Sequence, residues 1–232
     1  MNLGHADGIL LSSVITCMIY QSAEAFFWFN LEKEMRDYVD AVNKSSGGKV
    51  FNWGYTKNYS YWKERTGVTE HPVSAEVDWI GYGPCSETDH SNYKTDCTGL
   101  FRWSVNAGVN GPFSLKVLTM LPVCYRQLPS RPFFLELNHL SATMTMIEWG
   151  HPSLSEETVI FNARCKFEAE IDFDGYFAYL LLTGEASFQW IAVNVTVLAK
   201  ESKGLRIKRG KLTYLLMGNY EETIWCDKKD NK

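Results

Sequence analysis

The sequence predicts an all-β protein, an antiparallel β-sandwich of the jelly-roll kind with one short N-terminal helix, and three observations predict it. The first is residues 163 to 174, Ala-Arg-Cys-Lys-Phe-Glu-Ala-Glu-Ile-Asp-Phe-Asp. There Arg164, Lys166, Glu168, Glu170, Asp172 and Asp174 share one parity, and Cys165, Phe167, Ala169, Ile171 and Phe173 share the other. Only an extended strand puts those sets on opposite faces, one toward a core and one toward water. The second is the regular spacing of turn-formers, Gly81-Tyr-Gly-Pro84, Gly108-Val-Asn-Gly-Pro112, Gly150-His-Pro152 and Asp174-Gly175, between short alternating runs. The third is the aromatic content, 14% of 232 residues, which suits rings packed across pleated surfaces.

From the N-terminus, Gly8 to Tyr20 is an uncharged, mostly apolar run. It is too short to cross a bilayer as a helix and has the length of a signal-peptide core. Ala23-Glu24-Ala25 supplies small residues two apart, as signal peptidase accepts, so residues 1–25 are expected to be a signal peptide and 26–232 a single β-sandwich domain. Phe26-Phe27-Trp28-Phe29 can anchor the next element, a helix from Asn30 to about Val42. Leu31, Met35, Tyr38, Val39 and Val42 fall at helical spacing there, Asn30 is a good N-cap, and Glu32 and Glu34 favour the first turn.

After Ser45-Ser46-Gly47-Gly48 the pattern becomes β. Strands are expected at residues 50–61, 75–80, 100–105, 113–120, 132–140, 143–149, 158–161, 163–173, 176–182, 188–198 and 212–220. With no interleaved helices they make an antiparallel sandwich or barrel rather than a parallel sheet. No repeat or linker divides the domain, and the tail from Asp227 is expected to fray.

A net charge of -4 leaves no nucleic-acid footprint. The basic cluster between Lys200 and Lys211 reads as a solvated turn. Three sequons, at Asn43, Asn58 and Asn194, agree with secretion and glycosylation. After signal cleavage five cysteines remain. Cys85 and Cys97 flank a polar loop and are expected to be bridged, and the odd count of Cys85, Cys97, Cys124, Cys165 and Cys226 leaves one thiol unpaired that the sequence does not identify. No pair has zinc or thioredoxin spacing, and no metal or cofactor motif occurs. The scattered histidines lie beside no nucleophile motif.

Three constellations are candidates for function. Glu168, Glu170 and Asp172, with Asp174, form a ladder whose neighbouring carboxylates stand about 7 Å apart, a spacing that could serve a glycosidase pair. Glu170-Ile-Asp-Phe-Asp174 resembles the E-I-D-x-x-E strand motif of laminarinase-type glycoside hydrolases. Asp174 stands one position early and is Asp where that family has Glu, so no residue role is carried over. The second constellation is the aromatic row Phe51, Trp53, Tyr55, Tyr59 and Tyr61, either core or an open platform for sugar or lipid. The third is Phe188 and Trp190, which share parity with Asn194; a glycan on Asn194 would leave both rings exposed as a contact surface.

The reading that follows is a secreted glycoprotein acting as a non-catalytic binding module for an extracellular protein, glycan or lipid. Its ligand-binding candidates are Trp53, Tyr55, Phe188 and Trp190. A jelly-roll hydrolase or lyase using Glu168, Glu170 and Asp172, and a lipid-carrying sandwich, are the alternatives. No cofactor, metal, nucleic acid or transmembrane segment is expected.

Overall fold

A computed structural model describes residues 27–83, 85, 93–120, 132–138, 143–148 and 158–228. The expected signal segment, residues 1–25, lies outside them. The described chain is strand-rich, and its sheets do not close. In chain order the elements are β1 (Phe27–Asn30), α1 (Leu31–Ser45), β2 (Val50–Gly54), α2 (Ser60–Lys63), β3 (Ser74–Tyr82), β4 (Tyr93–Asn110) and β5 (Lys116–Met120). Then follow β6 (Pro132–Glu136), β7 (Thr143–Glu148), β8 (Thr158–Asp174), β9 (Tyr176–Leu182), β10 (Phe188–Asn194), β11 (Leu205–Lys208) and β12 (Lys211–Lys228).

The early helix forms where its start signals place it. The Asn30 side chain accepts from the Lys33 N–H at 2.9 Å, Glu32 and Glu34 occupy the first turn, and Leu31, Met35 and Val39 are buried. At the other end Gly47 and Gly48 take positive φ, and the Gly48 N–H bonds back to the Asn43 carbonyl.

The largest sheet runs β1-β4-β12-β8-β3, with β7 added to β4 and β11 to β12. Its strands are antiparallel except β1, which pairs parallel with β4, so the sandwich expected to be antiparallel throughout carries one parallel edge. The apolar half of the alternation read at 163–174 is the core side, with Cys165, Phe167, Ala169, Ile171 and Phe173 all buried, whereas on the side expected to meet water Asp172 is buried too. On β12, Leu212, Tyr214, Leu216, Tyr220 and Ile224 take the same side, and β4 adds Phe101, Trp103, Val105 and Val109. Phe29, Met35 and Phe177 complete this core from β1, α1 and β9. Each fully buried large apolar side chain contributes roughly 1.5–3 kcal/mol to folding.

The strands expected at 158–161 and 163–173 are one, because Asn162 stays in register opposite Thr223 and accepts its hydroxyl at 2.9 Å. The turn from β8 to β9 needs glycine at 175. Its φ is 108°, and a Cβ there would stand 2.6 Å from the Pro72 carbonyl oxygen.

Three expectations are corrected. The strand expected over residues 50–61 stops at Gly54, and a short helix, α2, begins at Ser60, because residues 55–59 form a turn. The strand expected over residues 188–198 stops at Asn194. The Asn194 side-chain oxygen accepts from the Thr196 N–H at 2.9 Å and turns the chain into a 3-10 helix, so the even alternation of Ile191, Val193, Val195 and Val197 does not extend one strand. Finally, Cys85 is bonded to Cys165, not to Cys97. Antiparallel pairing of β3 with β8 sets Tyr82 opposite Phe167 and delivers Cys85, just past β3, beside Cys165 with Cα atoms 4.4 Å apart. Cys97 instead sits on β4 opposite Cys226 of β12. Closeness along the chain suggested the first pairing, and strand register produces the second.

Candidate functional site

A smaller sheet, β10-β9-β2, carries the aromatic candidates and divides them between its two faces. Trp53 and Tyr55 lie on the side toward α1. Their rings stack at 6.1 Å, the Arg36 guanidinium stands 5.9 Å over Trp53, and the Tyr55 hydroxyl donates to Glu32 at 3.0 Å. Burial, reinforced by the Glu32 carboxylate, pushes the Tyr55 phenol up to about 12. Both rings are half-buried against the core. They bolt the helix to the sheet.

The opposite face is different. Asn52 of β2, Leu180 of β9 and Trp190 of β10 stand side by side in register. A register shift between Val50 and Asn52 frees Phe51 from the parity it shares with Trp53. The Phe51 ring is 71% exposed and meets Phe188, 53% exposed, edge to face with centroids 5.8 Å apart. Beside them the chain from Tyr59 to Trp62 folds back over the sheet. Glycine at 54 makes this fold-back fit, since a Cβ there would lie 2.5 Å from Cγ of Tyr59.

Four rings then close a cycle. Trp190 touches Tyr59 and Tyr61, each at 5.6 Å, and Trp62 touches Tyr59 at 6.2 Å and Tyr61 at 5.0 Å. Every contact is edge-on, the arrangement aromatic quadrupoles favour. The Tyr59 hydroxyl donates to the Asn52 amide oxygen, the Trp62 indole N–H to the Glu70 carbonyl at 2.8 Å, and the Arg65 guanidinium caps Tyr61 at 4.8 Å. Burial lifts the Tyr59 phenol to about 12, and burial with the Glu70 carboxylate raises that of Tyr61. This interlocked cluster and the exposed Phe51–Phe188 pair share one face of the sheet, joined along β10 by Phe188 and Trp190.

Of the four sequence candidates, the structure brings Phe188 and Trp190 to this patch and seats Trp53 and Tyr55 behind it. Sequence reasoning placed Tyr59 and Tyr61 on the end of a strand and missed their turn back over Gly54. The run Thr56-Lys-Asn58 between aromatics was the signal for that turn.

The carboxylate ladder occupies the outer face of the large sheet, and two of its members, Glu170 and Asp172, are matched by lysines. Glu170 pairs with Lys208 of β11. Asp172, 6% exposed, accepts the Thr213 hydroxyl at 2.9 Å and lies 3.8 Å from the Lys211 ammonium. Lys211 also donates to Glu76, the contact chiefly responsible for raising its own pKa. Asp174 faces His71 at 3.7 Å, and Glu168 is exposed. The cluster read as a solvated turn therefore supplies a strand and the counter-charges of the ladder. Beside it a groove of about 760 Å³ runs along β11 and β12, lined in part by Glu170, Arg206, Lys208, Leu215 and Met217.

Among the sequons, Asn58 is exposed in the turn before α2. Asn43 and Asn194 are half-buried, their amide oxygens accepting from the Val50 and Thr196 N–H groups. Among the described residues no His, Cys, Asp or Glu cluster could hold a metal ion, and no helix is long and apolar enough to cross a membrane.

No family model and no curated protein matches the chain. Solved structures similar to it include a non-toxic crystal protein from Bacillus thuringiensis, 12% identical with a TM-score of 0.48, covering 86% of this chain and 94% of that one. The Cry23Aa1 and Cry37Aa1 binary protein complex matches at 13% identity and a TM-score of 0.42, with coverages of 84% and 85%. The Mpp75Aa1.1 β-pore-forming protein from Brevibacillus laterosporus matches at 8% and 0.32, with coverages of 84% and 86%. Likeness of that degree assigns this chain neither family nor function.

Proposed function

We propose that the chain is a secreted, non-catalytic binding module that takes a glycan at the Phe51–Phe188 patch. The observation that carries this reading is two adjacent, largely exposed phenylalanines on the same sheet face as a cluster of interlocked rings. Exposed apolar rings on a stiff support cost little ordering entropy on binding, and their flat faces match the C–H face of a pyranose. The Asn52 amide, its oxygen engaged by Tyr59, is oriented to donate to a sugar hydroxyl from beside the rings.

Two features weigh against the alternatives. A hydrolase needs two carboxyls acting together, one to give up a proton and one to attack or guide water, whereas of the three candidates Glu170 and Asp172 are held by lysines and a hydroxyl and Glu168 alone is exposed. For a lipid carrier, which needs an enclosed apolar cavity, the groove beside β11 is unsuited, since it lies open and is edged by Glu170, Arg206 and Lys208. Secretion is supported by the apolar run near the N-terminus, by a disulfide compatible with an oxidising compartment, and by the exposure of Asn58 for glycosylation.

A glycan array probed with the wild-type protein and with the double variant Phe51→Ala/Phe188→Ala tests the reading. At least a tenfold loss of glycan affinity in a folded double variant is expected. Equal binding by both, or binding only to protein-free phospholipid vesicles, would overturn it.

A further inference from the structure

We infer that Cys97 and Cys226 form a second disulfide, which staples β4 to β12. The two residues are direct partners in the antiparallel register, and pairing is unbroken from Gly218 opposite Val105 to Cys226 opposite Cys97. Directly opposed residues of an antiparallel pair have Cα atoms about 4.5 or 5.5 Å apart, depending on which kind of pair they form. Both values lie within the roughly 4.4–6.8 Å that a disulfide spans. Opposed residues also project their Cβ atoms to the same side of the sheet, so no strand has to turn or slide for the sulfurs to meet.

Parity says which side this is. Cys97 falls in step with Phe101 and Trp103 on β4, and Cys226 with Tyr220 and Ile224 on β12, all four of them buried. That side already carries the Cys85–Cys165 bridge, where Cys165 stands opposite Tyr220. The two bridges would tie β3 to β8 and β4 to β12 on one face of one sheet, six residues apart along β12. They would also account for four of the six cysteines and leave Cys17 and Cys124 unpaired. Formation is balanced by exchange with a small-molecule disulfide such as oxidised glutathione. The two cysteine thiols give up two electrons and two protons to make the new S–S bond, and the small disulfide leaves as two thiols.

The test is peptide mapping of the wild-type protein after alkylation under denaturing, non-reducing conditions, following equilibration with oxidised glutathione. A peptide joining the Cys97 and Cys226 segments is expected, with Cys124 alkylated and the joined peptide gone after reduction. Alkylation of both Cys97 and Cys226, or linkage of either to Cys124 or Cys85, would overturn the inference. Because the mapping uses the native chain, the result does not depend on any variant folding. As a cross-check, Cys97→Ser should expose Cys226 as a newly alkylated thiol while the Cys85–Cys165 bridge persists; a Cys226 that stays blocked would overturn it too.

Discussion

The rings of Phe51 and Phe188 meet at 5.8 Å although their strands, β2 and β10, are not neighbours but flank β9 on either side. The contact depends on the irregularity between Val50 and Asn52, which frees Phe51 from the parity that carries Trp53 toward the core. Position and stability are separable here. Phe51→Ala removes a mostly exposed ring and should change unfolding free energy by no more than about 0.5 kcal/mol. Trp190→Ala, which removes the ring that touches both Tyr59 and Tyr61, should cost about 1–3 kcal/mol. Urea unfolding of the two variants checks this, and equal costs would mean that the exposed pair is structural.

Reduction of the Cys85–Cys165 bridge opens a loop with a sequence separation of 80 residues. The chain-entropy estimate for a loop that long is about 4.5 kcal/mol, and removal of native disulfides typically costs 2–5 kcal/mol. Cys85→Ser should lower stability within that range, and its thermal midpoint should drop further on reduction, which opens the inferred Cys97–Cys226 bridge. A variant whose midpoint still responds to reductant would show another bridge bearing on stability.

Alkaline pH should unfold the protein in a defined window. Tyr214, 3% exposed, has its phenol pushed by burial from the usual 10 up to about 12. Between those pH values the unfolded chain has released this proton and the folded chain has not. The unfolded state is then favoured increasingly as pH rises, and stability falls. The contribution is intact below pH 10 and is lost by about pH 12, a change on the order of 2–3 kcal/mol for this residue. Denaturant titrations across that interval should show the decline, and Tyr214→Phe should make it shallower, Tyr55 and Tyr59 supplying the rest.

Asp172 and Glu168 stand four residues apart on one face of β8 and should respond differently to truncation. Asp172→Ala strips the Thr213 hydroxyl of its acceptor inside the sheet, so a loss of about 1–3 kcal/mol is expected. Glu168→Ala, on an exposed side chain, should fall within about 0.5 kcal/mol. Glu170→Gln keeps the shape but weakens the pair with Lys208, for an expected cost of up to about 1 kcal/mol that shrinks with added salt. Thermal unfolding at two salt concentrations measures all three.

Local patterns decided the strand-rich class, the capped helix after Asn30 and the buried face of β8, because pleat alternation and helix capping are set by residues within a few positions of one another. The same locality explains the misreadings. Aromatic alternation from Phe51 to Tyr61 is blind to a turn at residues 55–59 that returns the chain over Gly54, and alternating valines after Ile191 do not reveal that Asn194 caps a 3-10 turn. The partner of Cys85, the lysines that neutralise the ladder, and the meeting of Phe51 with Phe188 all join residues distant in sequence. Strand order and register bring them together, and these are fixed by the burial of whole faces against one another rather than by any one segment's own pattern.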